Sequence, residues 1–410
     1  MADSHADTGV TGPLAGIRVL ELGNFVAAPT AGRLLGEFGA EVIKIELPRV
    51  GDEVRKWRLA RGETSMMWRT IGRNKKSVTI DMRTPEGSDL IRRLASKVDV
   101  ILENYRPGKL ESWGLAPASL REQNPELVVV RISGYGQSGP YRDRPGFGSV
   151  AESMGGMRFL TGYPDRPPTR MNLSIGDTLA GMYGVIGALM ALLARERGLA
   201  HGGETVDVAL YEAVYSALES VVPEFGAYGE VRGRTGNVIT GVAPTGTYAC
   251  REGEWVVIGG NSDGIFGRFM TAIGRRDLAD NPLFVSNRGR AANSALLDEA
   301  ISQWTEAHSV AEVMDVMVAA HVPAGPIYSV DDMIDDPHFH AREMFLEHDI
   351  RVEDDMERVT FPGVVPKLEQ MPGEVRWLGP ELGEHTREVL TGMLGLSDAE
   401  FSELQDRRVV

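Results

Sequence analysis

A chain of 410 residues has room for two or three domains with packed cores, and 42% hydrophobic with 25% charged residues is the make-up of a globular protein, not a disordered one. A formal net charge of −15 excludes a general binder of nucleic acid or anionic membrane, so neither is expected as a partner, and an acidic ligand must find a local patch of positive charge. The single cysteine, Cys250, excludes an intramolecular disulfide and a multi-cysteine metal site and reads as a buried strand residue. The first fourteen residues lack the basic and apolar regions of an export signal, so a reducing, cytoplasmic location is expected.

In chain order, GIRVLELG from Gly16, a small-residue helix over 31–38 and EVIKIE make a strand–helix–strand unit. The theme returns with a helix over 86–97, the strand DVILEN, helical turns after Pro107 and the buried strand LVVVRIS ending at Ser133. The fold class is therefore α/β, a Rossmann-like doubly wound parallel sheet in a large domain over 13–223. Ligands in such sheets sit beyond the carboxyl ends of the strands, which directs attention to the loops after Leu22, Glu46, Asn104 and Ser133. Residues 141–175, rich in Pro, Gly and Arg, form a long excursion. The apolar run 179–194 is shorter than the roughly 20 residues a membrane span needs and carries glycines, so it reads as a buried core helix. After the strand VDVAL and a helix over 211–221, glycine-rich residues 224–243 read as a linker. A small α+β domain over 244–325 opens with the hairpin GTYAC–REGE–WVVIGG and continues with helices near 264–274, 294–307 and 310–320. Residues 326–410 carry short strands and two amphipathic helices and are expected to return to the large domain.

The first βα turn, GNFVAAPTAG, has neither of the first two glycines of GxGxxG, which argues against NAD. Glu46, placed where a dinucleotide fold keeps its ribose-binding acid, is then read as a structural or capping residue. Eight basic residues lie between Arg55 and Lys76, interleaved with Trp57, Met66, Met67 and Trp68, and make either a cationic field for a polyphosphate ligand or a solvated surface segment. Asp177 stands in the first turn of the apolar helix, as a cap or as a buried carboxylate nucleophile toward an acyl group. GYGQSGP at 134–140 and GGNSDG at 259–264 follow apolar strands and can bring backbone N–H groups to a ligand, or serve as plain turns. No GxSxG, P-loop or HExxH occurs, and DDMIDDPHFH has no second cluster to complete a metal site, so its acids read as caps and no metal is expected.

Taken together and in order, PLAGIRVLELGNFVAAPTAGRLLGEFGAEVIKIE, RNKKSVTIDMRTPEG, VILENYRPGKLESWGL, ISGYGQSGPYRDRPG and the Asp177 helix resemble the class III CoA-transferases, the carnitine and bile-acid CoA-transferase (CaiB/BaiF) family that includes formyl-CoA transferase. The resemblance covers roughly 13–400 and implies an interlocked homodimer whose substrates are an acyl-CoA and an acceptor carboxylic acid. It also implies that Asp177 attacks the acyl-CoA thioester to give a mixed anhydride and then an aspartyl-CoA thioester. By position, Val26 and Ala27 would approach the pantetheine, Ile80, Asp81, Met82 and Arg83 the adenosine end, and Asn104, Tyr105 and Arg106 the middle of CoA. Ser133, Gly134, Tyr135 and Gly136 would line the same channel, and Gly259, Gly260 and Asn261 match the loop that shields the reaction in formyl-CoA transferase, with fewer glycines here. Basic positions that hold CoA in that enzyme fall on Leu47 and Ser112, leaving Arg49, Arg55 or Lys109 as substitutes.

Two other activities compete with CoA transfer. An alpha-methylacyl-CoA racemase shares the aspartate but uses a histidine where this chain has Phe147 and a glutamate near Ser262, so the proton donors and acceptors are missing. A non-catalytic acyl-CoA-binding protein would use Asp177 only as a cap. Arg170, seven residues before Asp177, is a candidate partner for a distal carboxylate, which favours a dicarboxylic acyl group such as succinyl.

Overall fold

The computed structural model describes residues 11–62 and 64–410. Contacts divide the chain into two compact units. The first takes the chain up to Met157, Met171–Leu218 and His340–Val410, and the second takes Arg158–Arg170 and Glu219–Phe339.

The first unit is built on six parallel strands: β1 (Arg18–Glu21), β2 (Glu41–Glu46), β3 (Lys75–Thr79), β4 (Val100–Glu103), β5 (Val128–Ser133) and β6 (Thr205–Ala209). Their spatial order is β3-β2-β1-β4-β5-β6, with Leu20 facing Ile43 on one side and Ile101 on the other. This order reverses direction between β1 and β4, which opens a crevice at their carboxyl ends. Alternation along each strand separates two cores. Val19, Val42, Val100, Leu102 and Val128 meet helices Ala27–Glu37 and Ile175–Glu196, whereas Leu20, Ile43, Ile101 and Val129 meet Pro85–Ala95 and the carboxyl-terminal helices Thr386–Leu394 and Asp398–Asp406. Residues 340–410 belong to this unit, while 326–339 stay with the second. The carboxyl-terminal helices pack on the sheet, where Asp81 N–H donates to the Val409 carbonyl, and the antiparallel hairpin of Phe345–Val352 and Asp355–Pro362 packs instead with Met66 and Leu378.

The strand β3 is one the sequence concealed. Its first residues are Lys75, Lys76 and Ser77, polar side chains that break the apolar pattern of a central strand, yet Lys75 is fully buried because Glu21 on β1 pairs with it at 2.7 Å and the Pro29 carbonyl accepts from it. The long apolar helix also departs from expectation. It runs 22 residues, Ile175–Glu196, long and apolar enough to cross a membrane by length and composition, and it is not fully buried. One face carries Ala180, Ala188 and Leu192 onto the sheet, where a side chain at Gly187 would meet Val206 at 2.3 Å; the other leaves Met182, Ile186, Leu189, Met190 and Leu193 exposed. The helix expected over 211–221 ends at Tyr215, and the excursion over 141–175 contains the short helices Gly148–Met154 and Met157–Leu160.

The second unit holds the hairpin β7 (Thr245–Ala249) and β8 (Trp255–Gly259), with β9 (Ala324–Pro326) antiparallel to β8. Helices Asp263–Ala272, Ser294–Thr305 and Val310–Ala319 close over Val256, Ile258, Phe269, Leu297 and Met317. Cys250 follows β7 and is buried in the same core, which pushes its thiol up. The glycine-rich 224–243 is only partly irregular, since Val221–Tyr228 is helical. In DDMIDDPHFH the acids do act as caps: Asp332 completes a capping box with Ser329, and Asp336 accepts from His338 N–H.

Candidate active site

The crevice at the β1/β4 reversal is stitched by side-chain amides. Asn104 Oδ1 accepts from Asn24 N–H at 2.8 Å and its Nδ2 donates to the Asn24 carbonyl at 2.7 Å, while Tyr105 Oη donates to the Leu22 carbonyl and accepts from Asn24 Nδ2. Burial pushes the Tyr105 phenol up to about 12, so it remains a neutral hydrogen-bonding group. Beside it Phe25 adopts a left-handed φ of 65°, a costly conformation for an aromatic residue, fixed by Phe25 N–H donating to Asp52 Oδ1 at 3.0 Å. Asp52 is fully buried and is held by Lys44, whose Nζ lies 2.8 Å from Asp52 and 3.3 Å from Glu21 and donates to the Gly23 carbonyl.

The cleft above this network is lined by the four loops that leave β1 to β4. Asn24 and Phe25 come from the first, Leu47 and Val50 from the second, Ile80, Asp81, Met82 and Arg83 from the third, and Tyr105 and Trp113 from the fourth. Five of the residues carried over for the CoA site therefore share one cleft. Arg83 lies at its wall, paired with Asp81 through two contacts of 2.7 Å that hold the Asp81 carboxyl low. Arg106 is exposed, and Lys109 sits 5.0 Å above the Trp113 ring, at the cleft's rim. Val26 and Ala27 turn inward: Val26 packs with Val54, Trp68 and Ile71, and Ala27 with the sheet, so neither side chain lines the cleft. Phe25 and Trp113 were missed as site residues, although LESWGL already marked the second.

The cationic stretch is largely taken up inside the protein. Arg55, one of the substitutes for the missing CoA cations, grips Glu46 through Nε and Nη2, at 2.7 and 2.8 Å, which gives Glu46 the structural role read for it. Arg61 pairs with Glu357, Arg69 with Glu381, Arg73 with Glu37, Lys75 with Glu21, and Lys76 with Glu41 and Glu388. Only Lys56 and Arg58 lack an ion pair among the described residues. Arg49 is exposed in a separate hollow with Thr386 and Arg387, and Ser112 donates to the Lys109 carbonyl. Pairing at such density follows from folding eight cations into an acidic protein, where each buried charge requires a partner.

At the carboxyl end of β5, Ser133 is buried and its Oγ has no hydrogen-bond partner among the described residues. Gly134 backs directly onto Gly146, and Gly136, at φ 84°, lies against Asp207, whose carboxylate accepts from Gln137 N–H. Tyr135 is wedged between Tyr141 and Tyr211. Asp177 is half-buried in the first turn of its helix, and its carboxylate rests against the backbone of Gly148. Glu152, buried, accepts from Gly176 N–H at 3.4 Å. This leaves a carboxylate in a small-residue setting, which suits attack on an acyl carbon.

Phe147 is the exposed N-cap of helix Gly148–Met154, and the Ser262 hydroxyl is occupied in capping Asp263–Ala272. In the second unit the loop after β8 is anchored rather than loose. Gly259 N–H donates to the Pro323 carbonyl, Gly260 N–H to Pro244, Asn261 Nδ2 to Thr245 Oγ1, and Arg290 binds the Asn261 carbonyl. Arg170 belongs to this second unit and is exposed.

Residues 14–386 match the sequence profile of CoA-transferase family III. The chain is 47% identical to the succinyl-CoA–D-citramalate CoA-transferase of Chloroflexus aurantiacus, over 97% of this chain and 98% of that one. It is 41% identical to the beta subunit of the succinyl-CoA–L-malate CoA-transferase of the same organism, over 98% and 99%. The crystal structure of a CaiB/BaiF family protein from Brucella suis superposes with a TM-score of 0.80 at 32% identity, covering 93% of this chain and all of that one. The α/β architecture, the sheet with its switch-point cleft and the matched sequence agree, and the chain belongs to CoA-transferase family III, as an enzyme acting on an acyl-CoA donor and a carboxylic acid acceptor.

Proposed function

We propose that the protein moves CoA from succinyl-CoA to a second dicarboxylic acid, with Asp177 as the nucleophile. The observation that carries this reading is the Asp177 carboxylate, half-buried in a glycine-lined niche, in a chain 47% identical to a transferase named for succinyl-CoA and citramalate. Relatives named for malate and glutarate also take dicarboxylic acids. One Asp177 oxygen attacks the thioester carbon and expels CoA thiolate, leaving a mixed anhydride. The thiolate then attacks the Asp177 acyl carbon, which releases succinate and leaves an aspartyl-CoA thioester. The acceptor carboxylate repeats both steps in reverse and regenerates Asp177. Each step exchanges one activated acyl group for another, so the reaction runs both ways, and excluding water protects the intermediates from hydrolysis. The cleft of Ile80, Met82, Tyr105 and Trp113 suits the adenine ring, with Arg83, Arg106 and Lys109 near the phosphates. Arg170 is our candidate for the distal carboxylate, and Arg170→Ala is expected to raise KM for succinyl-CoA.

The test is hydroxylamine quenching after incubation with single acyl-CoAs, followed by peptide mass spectrometry. A hydroxamate on the Asp177 peptide with succinyl-CoA, and not with formyl-CoA, is the expected result; label elsewhere, or none, would remove Asp177 from the mechanism. The working form is further inferred to be an interlocked homodimer, supported by the apolar row Met182, Ile186, Leu189, Met190 and Leu193 that one chain leaves exposed. A monomer by light scattering at micromolar concentration would exclude it.

A further inference from the structure

The helix Gly148–Met154 begins with a residue poorly suited to a helix. Gly148 is its first helical residue, is buried and does not lie in the left-handed region, so its backbone conformation is open to alanine, a better helix former. What forbids a side chain is Asp177. A Cβ built on Gly148 would lie 2.1 Å from Asp177 Oδ2, 2.6 Å from Cγ and 3.1 Å from Oδ1, so it would overlap the carboxylate itself. A side chain at Gly176 would in turn come within 2.9 Å of the Gly148 carbonyl, and Glu152, one turn along the same short helix, accepts from Gly176 N–H. Two glycines and a buried glutamate therefore set the floor on which the carboxylate lies.

We propose that Gly148 is a positioning residue for the reaction: its missing side chain makes the niche that fixes where the Asp177 carboxylate stands. The proposal rests on the reading of Asp177 as nucleophile. The obstruction falls on the end of a side chain with two rotatable bonds, not on backbone, so a methyl group at position 148 is accommodated by turning the carboxylate out by roughly 1 Å or more to an ordinary contact distance. The fold survives that adjustment. Nucleophilic attack does not, because misplacing a reacting atom by about 1 Å is worth on the order of 100-fold in rate.

The experiment compares wild type with Gly148→Ala by the pre-steady-state rate of hydroxamate formation on the Asp177 peptide, by KM and kcat for succinyl-CoA, by CoA affinity and by melting temperature. The expected result is a fall of roughly 100-fold in kcat and in labelling rate, with CoA affinity within twofold and the melting temperature unchanged or raised. Gly148→Val, which is bulkier, is expected to abolish labelling. Wild type labelled and Gly148→Ala labelled at the same rate overturns the niche while leaving the nucleophile standing. A melting temperature or CoA affinity that falls along with activity makes Gly148 a packing residue and equally overturns it. No label on wild-type Asp177 removes the nucleophile, and the niche with it.

Discussion

Replacing Lys44 by methionine tests whether the buried charges under the cleft act as one unit. Lys44 is fully buried, 2.8 Å from Asp52 and 3.3 Å from Glu21, and Lys75 is 2.7 Å from the other Glu21 oxygen, so two cations face two carboxylates. Burial works against charge on Lys44, but Asp52, Glu21 and Glu46 outweigh it and keep the ammonium protonated well above its ordinary range. Lys44→Met leaves Asp52 buried without a cation and Glu21 with only one. Breaking a buried pair from one side costs about 3–5 kcal/mol, which lowers the melting temperature by roughly 3–10 °C at about 1–2 °C per kcal/mol for a chain of 410 residues. Asp52 also accepts from Phe25 and Val54 N–H, so the turn lining the cleft loosens and CoA affinity falls with stability. Urea denaturation followed by circular dichroism gives the first quantity and calorimetry with CoA the second. Adding Asp52→Asn, which keeps the acceptor oxygen and removes the stranded charge, is expected to recover more than about 1 kcal/mol. A loss below about 1 kcal/mol for Lys44→Met, or strict additivity with Asp52→Asn, would refute the coupling.

Asp177→Ala is expected to lose at least 1000-fold in kcat and all hydroxamate labelling while still binding CoA, as kinetics and calorimetry will show. Trp113→Ala, at the cleft wall under Lys109, is expected to weaken CoA binding roughly tenfold by removing aromatic contact area, with kcat little changed. Burial raises the Glu103 carboxyl to about 7 although Arg131, 2.6 Å away, opposes it. The folded protein therefore binds the extra proton between about 4.5 and 7, so this group's stability contribution is fully present below about pH 4.5 and is lost as pH rises through 7. Glu103→Gln leaves Arg131 paired with Glu111 and should remove that slope, about 3 kcal/mol across the window; equal pH dependence of melting in both proteins would contradict it.

Much of the large domain was legible because its strands are apolar runs of β-branched residues between turn signals: EVIKIE and LVVVRIS give β2 and β5 almost residue for residue, and GIRVLELG and DVILEN contain the shorter β1 and β4. Motif order also made the family legible, and the loops after β1, β2 and β4 pointed to the cleft, whereas the loop after β5 does not line it. Composition could not reveal β3, because Lys75 looks solvated until Glu21 and Pro29, more than forty residues away, provide the partners that let it be buried. The same cause made 55–76 look like a ligand-binding field, when six of its eight cations neutralise acids scattered from Glu21 to Glu388. The sequence by itself determined periodicity, strand direction and the chemical types at the site. Only the tertiary structure decided which charges pair, that the apolar helix keeps one face exposed, and that Asp177 rests where a side chain at Gly148 would be, because each depends on the approach of residues distant in the chain.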